Sequence, residues 1–275
     1  MVISLADALE RRRQAAWQLG EQGLDFRWLD ALRGAAAQQQ GSFEVIDEIR
    51  WILHTGRRPT PGEIGCFASH RLAWQQCVAA GQPILVMEDD FRLLPGFRPA
   101  LEWLEELVGE YGFVRLQTET RARKRLVRRR GDLSLWRYTK VPHSMMCYGI
   151  SPAAAQAFLR QTVQICEPVD VFVKRYWAHG QAVYGIMPYS VEESGLSRST
   201  SIAGRAKSRK SPAVALARFG TRLNWLCRRL ICAAGYELRP LAERVRRLAG
   251  RGISALPNAV ALQSTASRND ADRRP

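Results

Sequence analysis

The sequence predicts an α/β fold built around a mostly parallel central sheet, and three observations carry that expectation. The chain opens strand, helix, strand: apolar Met1–Leu5, a charged helical stretch from Ala6 to about Gly20, then Phe26–Leu29. Strand and helix signals go on alternating as far as Glu193. The fully apolar run Pro83–Met87 ends in Glu88-Asp89-Asp90, placing acids at the carboxyl end of a buried strand, where open α/β sheets bind ligands.

Each element follows from its own pattern. Met1–Leu5 and Pro83–Met87 are short, branched and apolar, as buried strands are, and Gly20 and Gly23 close the first helix. Phe43, Ile46, Ile49 and Leu53 recur at intervals of three and four, which predicts a helix over Ser42–His54. Gly62–Ala80 repeats that spacing behind the turn Pro59-Thr-Pro-Gly. Further helices are expected at Phe97–Glu110, Pro152–Gln161 and Val169–His179. Strands are expected at Phe113–Gln117, Leu133–Thr139, Met145–Ile150 and Ala182–Met187, with the basic segment before Leu133 read as a loop.

Charge divides the chain. The formal net charge is +15, and Ser197–Arg251 alone holds 14 Lys or Arg against Glu237 and Glu243, a local net of +12. The expected organisation is an ordered α/β domain over 1–193, a flexible basic linker over 194–211, a basic amphipathic helical region over 212–250 and a disordered tail over 251–275. In the third of these, Leu216, Phe219, Leu223, Leu226 and Leu230 recur at helical spacing among arginines, the pattern of helices that lie on anionic membrane surfaces. No apolar run approaches the roughly 20 residues of a membrane span, and the first residues lack the pattern of a signal peptide, so neither is expected. The six cysteines show no CxxC and no metal-ligand spacing, so neither a zinc site nor a disulfide scaffold is indicated.

Three groups of residues are suited to chemistry. Glu88, Asp89 and Asp90 present oxygen ligands together at a strand end, as a hard divalent cation requires; a solvated acidic loop is the plainer reading. Glu63, Phe67, His70 and Trp74 share one stripe of a helix, and there His70 either serves the site or is a structural histidine. Asp170 follows Pro168 and opens a helix containing His179. It is a candidate base, or else a helix cap acting through its charge.

Four blocks in order resemble glycosyltransferase family 25. They are Val2-Ile-Ser-Leu with Arg11 and Arg12; Phe26–Gly34, FRWLDALRG; Pro61–Trp74, PGEIGCFASHRLAW; and Ile84–Phe91, ILVMEDDF. The late block PVDVFVKRYWAHG supports them. Departures are Ser4, where the family commonly has Asn, an unusual density of arginine in Thr118–Arg130, and Ser144-Met-Met-Cys-Tyr-Gly in place of a Gly-Thr-x-Gly-Tyr stretch.

The resemblance implies a GT-A type nucleotide-sugar-binding sandwich. It also implies inverting transfer of a hexose, most often galactose from UDP-galactose, to a lipopolysaccharide or lipooligosaccharide acceptor. By the same resemblance Glu88 and Asp90 hold Mn²⁺ or Mg²⁺ and the donor diphosphate, with Asp89 beside them. Ser4, Arg11, Asp30, Glu63 and His70 line or support the donor pocket. Asp170 is the base, and His179 completes the metal shell or meets the acceptor. The partners implied are a UDP-sugar, a lipid-linked glycan and, through the basic C-terminal region, the anionic inner face of the bacterial inner membrane. Two other readings stay open: a catalytically silent membrane-surface scaffold, and a nucleic-acid-binding protein. The second is disfavoured because the basic residues gather in a tail without an aromatic stacking platform.

Overall fold

The structure, a computed structural model, describes residues 1–34, 37, 45–118, 122–195 and 212–253, with side chains described as far as 235. Contacts divide the chain into a unit Met1–Cys232 and a unit Ala233–Pro275. Among the described residues, the first holds every strand. The second consists, among the described residues, of helical backbone as far as Ile253. The expected linker beyond Gly195 and the tail beyond Ile253 lie outside the described residues.

The first unit begins with β1 (Val2–Ser4), α1 (Leu9–Glu21) and β2 (Trp28–Asp30), then β3 (Val45–Ile46), α2 (Glu48–Thr55), α3 (Pro61–Ala80), β4 (Ile84–Glu88) and β5 (Phe91–Leu93). It continues through α4 (Phe97–Tyr111), β6 (Phe113–Arg115), β7 (Arg123–Arg130), β8 (Leu133–Lys140), β9 (Cys147–Ile150) and α5 (Pro152–Gln161). It ends with β10 (Gln164–Ile165), α6 (Val169–Lys174), α7 (Tyr176–His179), β11 (Tyr184–Met187), β12 (Val191–Glu193) and the start of α8 (Pro212–Ile253).

Eight strands form one sheet in the order β2-β1-β4-β9-β6-β11-β8-β7. The class is α/β, as expected, but the sheet is mixed rather than mostly parallel. β1 runs parallel to β2 and β4, and β6 to β11, whereas β9 lies antiparallel between β4 and β6 and the β7–β8 hairpin adds antiparallel pairs. Alternation of strand and helix along a sequence does not encode direction, and an inserted antiparallel strand keeps the same hydrophobic signature as its neighbours.

Helices cover both faces. On one, Phe67, Trp74, Phe158 and Phe172 pack against Phe113 and Tyr148 of the sheet; on the other, Leu19, Phe97, Trp103, Leu104 and Leu107 pack against Met87, Val114 and Leu135. Such two-sided burial explains why Pro83–Met87 reads as continuously apolar.

Two local expectations need correction. The helix drawn over Ser42–His54 begins at Glu48, because Val45 and Ile46 pair in parallel with Gln164 and Ile165. Asp47 then caps it, accepting from the Arg50 N–H at 2.9 Å. The segment read as a basic loop is β7, whose pairing with β8 supplies a tertiary partner that the like-charged residues conceal.

Two features of this fold build the cleft. Because β1, β2 and β4 are parallel, Ser4, Asp30 and Glu88 reach the same sheet edge, with Ile3 opposite Glu88 and Ser4 opposite Asp30. Antiparallel β9 brings the segment just before it to that edge too, since Met87 lies opposite Cys147.

Candidate active site

At this edge lies a cleft of about 860 Å³ lined by Ser4, Arg11, Glu63, Cys66, His70, Glu88, Asp89, Asp90, His143, Asp170 and Glu193, among others. Eight of the residues that the sequence singled out individually line it: Ser4, Arg11, Glu63, His70, Glu88, Asp89, Asp90 and, from the late block, Asp170. Asp30 is absent from the lining. Its side chain is 71% exposed and paired with Arg12, which also donates to the carbonyls of Ser4 (3.0 Å) and Leu5 (3.1 Å). Asp30 therefore acts on the cleft only at one remove, by fixing the end of β1.

The three consecutive acids have different partners. Asp89 is buried and faces the first strand and helix, accepting from Ser4 Oγ at 2.5 Å and Arg11 at 3.1 Å. Burial raises its pKa, and those two partners pull it back. Glu88 turns the other way, 3.0 Å from His70 Nε2. Asp90 has a buried Oδ1 without a hydrogen-bond partner. Burial and the neighbouring carboxylates of Glu88, Asp89 and Glu193 push its carboxyl up to about 7. Glu193 arrives from β12, which pairs antiparallel with β5 so that Glu193 faces Phe91. Nothing in the sequence marked it.

An orphaned carboxylate oxygen among several acids is a site that a divalent cation fits, because the ion replaces the missing partner and removes the repulsion. A second donor set shares Glu88: one ligand atom each of Cys66, His70 and Glu88 lie within 4.8 Å of one another. The hydrogen bonds around His70 favour a different role for it. Trp74 Nε1, a donor only, bonds Tyr148 Oη at 3.0 Å, and that hydroxyl lies 2.8 Å from His70 Nδ1. The chain is satisfied throughout when the tyrosine donates to Nδ1 and His70 donates from Nε2 to Glu88. His70 then aims Glu88 rather than coordinating an ion.

Glu63 sits at the third position of α3 and closes a capping box with Thr60. Its carboxylate also takes both terminal nitrogens of Arg57, one at 2.6 Å. Burial would raise its pKa, but Arg57 and Thr60 hold it below the ordinary range. Glu63 is thus a wall residue whose oxygens are engaged. The same turn needs glycine: a Cβ on Gly65 would lie 2.2 Å from the Leu32 carbonyl and one on Gly34 2.3 Å from that of Pro61, so the GEIG motif seats α3 directly on the chain leaving β2.

Asp170 and His143 form the other wall. His143 Nδ1 is 2.6 Å from Asp170 Oδ2, and Lys174 Nζ is 2.7 Å from His143 Nε2. Burial would raise the Asp170 pKa, yet the His143 hydrogen bond and the charges of His143 and Lys174 hold it below the usual carboxylate range. Buried Arg115 fixes the segment, donating to the carbonyls of Pro142 (3.0 Å), His143 (2.7 Å) and Ser144 (2.9 Å). Ser144 itself adopts a left-handed φ of 76°. The sequence analysis missed His143, which stands outside the quoted blocks.

The two walls meet at Cys66, whose thiol is pushed well above its ordinary range by burial and then by the charges of Glu88, Asp170, Asp90 and Glu63. His179, in contrast, is no part of the cleft. Its Nε2 faces the Val173 carbonyl at 3.1 Å and its Nδ1 accepts from the Gln181 N–H at 3.2 Å, with Phe158 and Phe172 stacked around it. With both nitrogens taken by backbone, it cannot complete a metal shell or meet an acceptor.

The sequence model of glycosyltransferase family 25 (LPS biosynthesis protein) matches residues 1–173. The chain belongs to glycosyltransferase family 25. Among relatives in that family, lacto-N-neotetraose biosynthesis glycosyltransferase LgtE of Neisseria gonorrhoeae is 34% identical over 131 residues, 46% of this chain and 45% of its own. The lipooligosaccharide biosynthesis protein lic2B of Haemophilus influenzae is 34% identical over 109 residues, 38% of this chain and 39% of its own. The human inactive glycosyltransferase 25 family member 3 is 36% identical over 110 residues, 38% of this chain and 18% of its own. The chain spans less than half the length of each of these relatives. Because the family includes a member named inactive, membership alone does not decide activity, and the cleft's chemistry must carry that argument.

Proposed function

We propose that this protein is an inverting glycosyltransferase that moves a hexose, galactose from UDP-galactose being the first candidate, onto a lipid-linked lipopolysaccharide or lipooligosaccharide acceptor. The observation that carries the reading is the meeting in one cleft of an acid group, Glu88 and Asp90, in which the buried Asp90 Oδ1 has no hydrogen-bond partner, with the hydrogen-bonded pair Asp170 and His143.

Inverting transfer needs those two functions on opposite sides of the sugar. Glu88 and Asp90 would hold Mn²⁺ or Mg²⁺, which when bound would supply positive charge to offset that of the leaving diphosphate. His70 aims Glu88, while Ser4 and Arg11 fix Asp89 and with it the turn that carries all three acids. The acceptor hydroxyl oxygen bonds to the anomeric carbon as the bond from that carbon to the diphosphate oxygen breaks, its electrons leaving with the nucleotide. The hydroxyl proton passes to the His143–Asp170 pair: Asp170 holds the Nδ1–H of His143, and Nε2 takes the proton once the acceptor displaces Lys174.

The acceptor is membrane-borne, and the basic region over 212–250 brings the domain to the anionic inner face of the inner membrane. A silent scaffold is the competing reading, favoured by the inactive human relative. Turnover of UDP-galactose, UDP-glucose, UDP-N-acetylglucosamine and GDP sugars with Mn²⁺ or chelator, beside Asp90→Ala, separates them. Metal-dependent turnover of one donor, lost in the variant, supports the transferase; donor binding without turnover, whatever acceptor is supplied, supports the scaffold.

A further inference from the structure

The first turns of α8 carry their polarity inside out. Toward the domain the helix presents Arg218, buried with its guanidinium over Gly56, and Trp225, whose ring centroid lies 4.8 Å from that of His54 and 5.1 Å from the Arg175 guanidinium carbon. The carbonyl of Arg229 accepts from Tyr176 Oη at 3.3 Å. On the opposite side Leu216, Phe219, Leu223, Leu226 and Leu230 are 73, 65, 50, 41 and 56% exposed. Their spacing of three and four residues gathers them into a single stripe.

Scattered exposed leucines need no explanation, but five in one row on a helix anchored by its other face do. We propose that this stripe docks on the surface of an anionic lipid bilayer, with α8 lying in the plane of the interface. Charge selects this occupant. Exposed Arg222 borders the stripe, and the segment Ser197–Arg251 is net +12 by its 14 Lys or Arg and two Glu. A second copy would bring an equal positive charge against it, whereas anionic headgroups neutralise it while the leucines enter the acyl boundary. No helix among the described residues is long and apolar enough to cross a membrane, so the contact is one of lying on the surface. The proposal deepens and rests on the membrane reading above, not on turnover in the cleft.

The test is flotation of the full-length chain with phosphatidylcholine vesicles, with and without phosphatidylglycerol, beside the variant Leu223→Gln/Leu226→Gln. Glutamine leaves the charge unchanged, and both positions are exposed, so thermal unfolding of the variant should match the wild type. The expected result is salt-sensitive binding to the anionic vesicles only, weakened about tenfold or more in the variant, since each lost apolar contact lowers interfacial partitioning. Equal binding by variant and wild type would show that the arginines act alone and overturn the proposal. So would a wild type that ignores vesicles but sediments as a dimer that the variant dissociates. Donor turnover, measured without vesicles, reports on the cleft separately: its absence alongside stripe-dependent vesicle binding would sink the enzyme reading and leave this one standing.

Discussion

His143 Nδ1 lies 2.6 Å from Asp170 Oδ2, joining the segment before β9 to the first turn of α6 across the mouth of the cleft. Neither residue alone makes a good base. Asp170 is held below the usual carboxylate range by its burial being outweighed by His143 and Lys174, so it is a weak proton acceptor, and an imidazole without an orienting carboxylate lacks a fixed tautomer. In the proposed mechanism they act together as one acid–base unit.

If the pair acts as a unit, Asp170→Asn and His143→Ala should each lower kcat by about 10²–10⁴-fold, and the double variant should fall little further than the worse single one. Initial rates of transfer and donor affinity check this. Independent, multiplicative losses would place the proton elsewhere.

Asp90 is the residue on which a cation should be most visible. Its carboxyl is raised to about 7, chiefly by burial and then by neighbouring acids, so the metal-free fold keeps Asp90 neutral up to about that pH while the unfolded chain ionises it in the ordinary carboxylate range, and stability falls as pH climbs from that range through about 7. Asp90→Asn should therefore raise the melting temperature of the metal-free protein at pH 8, leave it nearly unchanged at pH 4 and abolish stabilisation by Mn²⁺. Thermal scans with Mn²⁺ and with chelator read all three effects.

His179 predicts an acid limb. Burial lowers its pKa to about 4 from 6.5, so below 6.5 the unfolded chain takes a proton that the folded one refuses, and stability falls as pH drops from about 6.5 to about 4. The full difference is on the order of 3 kcal/mol. Denaturant titrations across that range should show the slope, and His179→Gln should flatten it.

Gly65→Ala should destabilise by about 1–3 kcal/mol or more. Its Cβ would meet the Leu32 backbone carbonyl at 2.2 Å, and backbone yields less readily than a side chain. A lowered urea midpoint together with weaker donor binding is the expected pair of effects, since α3 carries Cys66 and His70 into the cleft.

Much of the cleft was legible in the sequence because its residues sit at strand ends and helix starts, positions that hydrophobic pattern and turn chemistry locate. Glu88, Asp89 and Asp90 follow an apolar strand, and Glu63 follows a Thr60-Pro start. Partnership was not legible. Whether Asp89 turns toward Ser4 or into the cleft, whether His179 meets backbone or ligand, and that His143 joins Asp170 all depend on which strands become neighbours. For the same reason the direction of β9 and the existence of β7 escaped a reading of local pattern.

The outermost strand, β7, reads Arg-Lys-Arg-Leu-Val-Arg-Arg-Arg and is exposed along nearly its whole length, with Arg128 and Arg130 reaching Glu110 and Glu106 of α4. None of its residues lines the cleft. An open strand edge is a template on which another chain can polymerise, and a row of like charges is a common way to forbid it. Arginines that in the sequence stood only as a departure from the family pattern thus line the rim of the sheet, where like charge disfavours the recruitment of a second sheet.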